Sequence, residues 1–119
     1  MNLVVVSGHL SSEPNVRELQ SGTVITTFEL TTRVGDASVS VPLVWFEPPA
    51  ALAVHAGDEV AVVGTVRRRF FRSAGITQSR TEVVVHHLGP AADKRTRTVQ
   101  RKWIAGVLGA EVVQGLASL

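Results

Sequence analysis

Asp58-Glu59-Val60-Ala61-Val62-Val63-Gly64-Thr65-Val66, continued by Arg67-Arg68-Arg69-Phe70-Phe71-Arg72, is the stretch that decides how the chain is read. Its first half is crowded with β-branched residues, which fit a pleated, half-buried surface, so a buried strand is expected. Side chains alternate between faces along a strand, which assigns Val60, Val62 and Val66 to the core. The same period places Thr65, Arg67, Arg69 and Phe71 together on the other face. A strand that begins in the interior thus emerges carrying two guanidinium groups and an aromatic ring side by side. Arginine meets phosphate with a planar fork of donors while a ring offers its π-face to a base, so such a surface suits a nucleic-acid strand. The alternative is a solvated basic hairpin whose Phe70 and Phe71 plug a core.

Working outward, Ser73-Ala74-Gly75 is expected to turn a hairpin, and residues 77–88 to return as a strand with Glu82, Val84 and His86 facing opposite Val83, Val85 and His87. Upstream, residues 50–55 are rich in alanine and are expected to make one or two helical turns, ended by Gly57. Before them, Glu47-Pro48-Pro49 stops a strand over residues 37–46. That strand has Val39, Val41, Leu43 and Trp45 on one side and Ser40, Pro42, Val44 and Phe46 on the other; both sides are partly apolar, so its orientation stays open. Pro42 cannot donate to a ladder, which favours a bulge or a free edge. Residues 23–33 alternate cleanly, with Val24, Thr26, Phe28 and Leu30 against Thr23, Ile25, Thr27, Glu29, Thr31 and Arg33, as in an antiparallel sheet with one wet face. Val34-Gly35-Asp36 closes them in a tight turn. Residues 2–10 form a first strand in which Gly8 marks a bend, residues 11–15 turn, and residues 16–20 resume an extended pattern up to Ser21-Gly22. Five strands with a short helix between the third and fourth is the order of an oligonucleotide/oligosaccharide-binding (OB) barrel, an all-β fold that binds nucleic acid on its middle strands and on the loop joining the last two. The basic-aromatic hairpin falls at that loop.

The composition fits one folded domain of 119 residues, with 45% hydrophobic and 18% charged residues. Net charge is only +2, yet ten of the twelve basic residues follow Gly64, and an uneven distribution of this kind points to an anionic partner. The absence of cysteine removes disulfides and thiolate metal sites and makes a reducing cytoplasm the simplest home. Residues 3–6 are too short for the apolar part of an export signal. Residues 103–119 are apolar and follow a basic cluster, but they include Glu111 and Gln114 and are short for a span, so no membrane partner is expected.

The residues resemble the bacterial single-stranded DNA-binding protein (SSB) family. Met1-Asn2-Leu3-Val4-Val5-Val6-Ser7-Gly8-His9-Leu10, with Glu13-Pro14-Asn15-Val16-Arg17, resembles the family's opening strand and its D/E-P-x-x-R turn. The stretch from Ser21 to Thr32 is similar to its second strand, that from Gly57 to Val66 to its K-G-x-x-V-x-V-x-G-x-L strand, and Thr81-Glu82-Val83 to the start of its last one. The likeness covers residues 1 to about 90, which makes residues 1–90 the expected OB domain and residues 91–119 a basic tail. It implies sequence-tolerant binding of single-stranded DNA in replication, recombination or repair, a homo-oligomer (tetramer or dimer), replication or repair proteins as further partners, a nucleoid-associated cytoplasmic location and no cofactor. By position, Arg67, Arg69, Phe71 and Trp45 match the family's basic and stacking residues; Arg68, Arg72, Arg80 and Arg33 complete the expected contact set. The loop at residues 34–38 is shorter than the family's, and the aromatics that flank it there are absent, which implies weaker binding. The tail also departs from the family, since it closes on Gly115-Leu116-Ala117-Ser118-Leu119 rather than on an acidic tip. Residues 95–116 instead read as a helix with Val99, Trp103, Ile104, Val107, Leu108, Val112 and Leu116 in an apolar stripe. Gly106, Gly109 and Gly115 weaken that helix, so packing on the barrel or on a partner is expected.

No catalytic constellation is found. Gly106-Val107-Leu108-Gly109 lacks the Lys-Ser/Thr ending and the preceding strand of a phosphate-binding loop. His86 and His87 are neighbours on a strand and are expected to point apart, as are Asp58 and Glu59, so neither a shared metal nor a carboxylate pair is supported and an enzyme is not expected. Two other readings keep the fold: an OB protein-interaction module of the primosome type, and an RNA-binding OB module, because stacking and phosphate contacts do not read the sugar.

Overall fold

The computed structural model describes residues 1–117, with side chains to residue 110. Strands β1 (Val4–Leu10), β2 (Asn15–Glu18), β3 (Val24–Val34), β4 (Ala37–Phe46), β5 (Glu59–Ser73) and β6 (Ile76–Pro90) are followed by one helix, α1 (Lys94–Ala117). The sheet order β1-β5-β6-β4-β3-β2, with β1 also pairing β3, closes β1, β5, β6, β4 and β3 into a five-stranded OB-like barrel, and β2 extends β3 on the outside. Every pairing is antiparallel except β4 with β6. Pro42 stands just before the two residues at which β4 meets β6, so its missing N–H falls on a free edge.

The barrel closes at Gly8. There β1 passes from β5 to β3, and a Cβ on Gly8 would lie 2.1 Å from the carbonyl oxygen of Thr31, so only glycine admits that approach. Leu10, Phe28, Leu30, Leu43, Trp45, Val60, Val62, Val83, Val85 and Leu88 fill the interior, with Val54 across one end. The expected helix over residues 50–55 does not form. Its two preceding prolines, its length and its alternation favour an extended plug: Val54 is buried and Leu52 packs on the core, while His55 N–H donates to Asp58 Oδ2 and Ala56 N–H to Glu13 Oε1. These side chains take donors that a helix would have used.

The pairing of β5 with β6 shifts register between Val63 and Gly64, because Val63 faces His87 and Gly64 faces Val85. His86 is thus the extra residue of a bulge. The two histidines expected to point apart both reach α1: the His86 ring stacks on Trp103, with centroids 4.5 Å apart, and His87 Nδ1 lies 3.0 Å from Gln100 Nε2. Gln100 Nε2 also donates to the carbonyl of Ala61 at 2.9 Å, so its second proton meets His87 Nδ1 as an acceptor. Burial lowers the pKa of His87 from its ordinary value. Thr96 sits so close to Gly89 that a Cβ there would meet its Oγ1 at 2.4 Å. The helix therefore docks through buried Thr96 and Gln100 and half-buried Trp103, Ile104 and Val107, whereas Val99 and Leu108 of the expected stripe are exposed. Val112 and Leu116 lie outside the described side chains.

Beyond Val66 the hairpin leaves the barrel. Among the described residues, β5 from Arg67 to Ser73 pairs only with β6 from Ile76 to Glu82, an arm roughly 20 Å long at the usual strand rise. Val66, expected in the core, is 44% exposed because it stands at the barrel's rim, where Asn2 bonds its backbone. Ala74 and Gly75 turn the arm with φ of 53° and 78°, two positive values that match the right-handed twist of a two-residue hairpin.

Candidate nucleic-acid interface

Strand alternation builds a groove on the outer face of the barrel. Ile25, Thr27 and Glu29 of β3 face Phe46, Val44 and Pro42 of β4 across the ladder, and Arg67 of β5 faces Glu82 of β6. With Arg17 of β2, Arg69 and Arg80, these side chains line an open groove of about 660 Å³. Phe71 lies farther out on the same face of the arm, two residues beyond Arg69.

Charge in the groove is arranged as pairs. Glu82 is 5% exposed, and its carboxylate accepts from Arg67 Nη2 at 3.2 Å and from Arg69 Nε at 3.1 Å. Arg69 stands directly opposite Arg80, a like-charge cross-strand pair that would be unfavourable alone. Each has its own carboxylate: Arg80 Nη2 donates to Glu29 Oε1 at 2.7 Å, and Glu29 Oε2 accepts from Ser40 Oγ at 3.0 Å. The Arg67 guanidinium lies 5.1 Å from the centroid of the Phe46 ring, and that of Arg69 lies 5.2 Å from Phe71. Both are cation–π distances. Arg67 Nε is buried, with no hydrogen-bond partner among the described residues. At the groove's end, Glu13 accepts from the backbone of Ala56 and bonds His55, and these contacts hold its carboxyl below the ordinary carboxylate range.

Of the residues expected from the sequence, the structure brings Arg67, Arg69, Arg80 and Phe71 onto one face. Arg68 and Arg72 lie on the arm's other face, where Arg68 donates to Ser79 Oγ and covers Phe70, and Arg72 donates to the carbonyl of Gly75. Arg33 is exposed near the tip of the β3–β4 hairpin, outside the groove lining. Trp45 is corrected outright: it is 6% exposed and packs in the core, because β4 turns Leu43 and Trp45 inward. Its neighbour Phe46, 38% exposed, takes the outer position, and Phe46, Arg17 and the carboxylates Glu29 and Glu82 are among the groove residues that the sequence did not single out. Phe46 could have been found from the alternation of the strand, had the partner strands been known.

Among the described residues no helix is long and apolar enough to cross a membrane. The chain matches no protein-family model, and no curated protein matches it in sequence.

Proposed function

We propose that the protein binds single-stranded DNA without strong sequence preference along this groove, in keeping with its resemblance to the SSB family and with a role in replication, recombination or repair. The observation that carries the reading is the alternation of guanidinium and ring on one open face: Phe46 with Arg67, then Arg69 with Phe71. A flexible strand has the chemistry to use both, because its phosphates accept from arginine and its bases stack on phenyl or guanidinium planes. A duplex keeps its bases stacked on one another and offers no free face to these rings.

The pairing of Arg67, Arg69 and Arg80 with carboxylates favours a second reading, a protein-docking OB module, since paired arginines bind phosphate less readily. Fluorescence anisotropy with labelled oligo(dT), oligo(U) and a duplex at two salt concentrations separates the readings. Binding to oligo(dT) over duplex, with log affinity falling against log salt at a slope of about −2 to −3, fits three to four phosphate contacts. Preference for oligo(U) moves the ligand to RNA, and no binding to any strand removes the nucleic-acid reading in favour of protein docking.

A further inference from the structure

We propose that Glu82 is an internal competitor of the nucleic-acid backbone: its buried carboxylate holds Arg67 and Arg69 in the place where phosphates would take them, and so restrains the affinity of the groove. This inference rests on the single-strand reading of the same site.

Three observations carry it. Among the described residues, Glu82 is the one carboxylate of the groove that is nearly sealed from solvent, and it is held by Arg67 and Arg69 at 3.2 and 3.1 Å, whose own side chains remain 39% and 42% exposed. The cations are therefore accessible while the anion is not. If both arginines turned to phosphate, Glu82 would be left as an unpaired buried charge, an arrangement proteins avoid. Both guanidinium groups also lie over the rings of Phe46 and Phe71, so the geometry that satisfies Glu82 covers the faces on which bases would stack. Finally, Arg67 Nε is buried and has no partner among the described residues, so Glu82 does not saturate the donors of that fork, and an oxygen acceptor gains this donor only once the side chain turns outward. The Glu29–Arg80 pair provides a contrast: Glu29 is 40% exposed, so water screens it and its release is easy. On the arm's other face, Arg68 and Arg72 donate to a hydroxyl and a carbonyl, and among the described residues neither is paired with a carboxylate.

The test compares wild type, Glu82→Gln and Glu29→Gln by oligo(dT) anisotropy between about 50 and about 200 mM salt, with thermal melts to show that each variant is folded. Glu82→Gln is expected to bind on the order of tenfold tighter at the lower salt. Its salt slope should be steeper by about 0.7 for each phosphate contact released to the strand, and Glu29→Gln, which releases only the already screened Arg80, should gain less than Glu82→Gln. Without DNA, NMR of the arginine Nε–H groups should show faster exchange at Arg69 in Glu82→Gln. If the glutamine variant does not fold, wild type alone decides: saturating oligo(dT) should shift the Arg69 Nε–H resonance as it leaves Glu82, and an unmoved resonance overturns the inference. Wild type that binds, with Glu82→Gln equal or weaker, overturns the inference and leaves the single-strand reading intact. Binding by Glu82→Gln alone supports the inference in its strongest form. Failure of both to bind removes the single-strand reading, and the inference with it.

Discussion

Replacing Phe46 with alanine removes the ring that the barrel, rather than the arm, presents to the groove. The ring is 38% exposed, with one face under Arg67 at 5.1 Å, and its β3 neighbour is the buried Ile25. Its contribution to folding should therefore fall well below the roughly 3–5 kcal/mol of a fully buried phenylalanine. Its contribution to binding is larger in proportion. One stacked base is worth about 1–3 kcal/mol, so Phe46→Ala should weaken oligo(dT) binding roughly 5- to 150-fold. Where a base takes the face that Arg67 covers, the cation–π contact belongs to the free protein alone, so giving it up offsets part of the stacking gain and places the loss toward the lower end of that range. Because no charge is removed, the salt slope should stay where it was, which separates a stacking loss from a phosphate loss. Phe70→Ala is the matched control: that ring is 67% exposed but sits on the opposite face of the arm, and its removal should leave affinity nearly unchanged. Anisotropy titrations of the three proteins at fixed salt measure these differences. Unchanged affinity in Phe46→Ala, or an equal loss in Phe70→Ala, would refute the argument from strand faces.

Further outcomes follow from the core and from the helix dock. Trp45→Phe should cost about 1–3 kcal/mol in chemical denaturation by underpacking the barrel, yet leave oligo(dT) affinity intact; a selective loss of binding would contradict its place in the core. Gly8→Ala should destabilise by about 3 kcal/mol or more, read as a large fall in melting temperature, because the new methyl meets the backbone oxygen of Thr31 rather than a movable side chain. The pKa of His87 is lowered in the folded state, so the unfolded chain takes up its proton first as pH falls. Stability should be full above the ordinary histidine value of 6.5 and decline as pH drops from there through the folded value. His87→Gln should flatten that decline in denaturation curves, and Trp103 emission should report undocking of α1. Light scattering on the full chain tests the proposed dimer or tetramer, and a monomeric mass across the working concentration range would remove it.

Much of the fold was legible because it rests on local rules. The turns at Gly35 and at Ala74-Gly75, the alternation of residues 23–33, the bend at Gly8 and the basic run after Val66 each follow from what a few adjacent residues can do. The groove was half legible: period-two alternation put Arg67, Arg69 and Phe71 on one face without knowledge of any partner strand. Residues 50–55 misled because alanine content suggests helix, whereas Leu52 and Val54 gained more by reaching the open end of the barrel, a destination that exists only once the strands have closed. His86 and His87 misled because a bulge breaks the alternation, and a bulge belongs to a pair of strands, not to one.

The sequence by itself determined the strands, their turns, the closing bend and the cluster of arginines, since these depend on backbone freedom and on side-chain alternation within a single segment. Only the tertiary structure decided which aromatic of β4 faces the groove and what the arginines hold. Val41, Leu43 and Trp45 compete with Val44 and Phe46 for the interior, and registry with β3 and β6 settles that competition by turning Trp45 in and Phe46 out. The carboxylate of Arg80 comes from Glu29, 51 residues earlier, and that of Arg67 from Glu82 across the hairpin. Arg67 and Glu82 meet through the register of their hairpin, whereas Arg80 and Glu29 are independent in sequence and become partners because barrel closure brings β3 and β6 to one face.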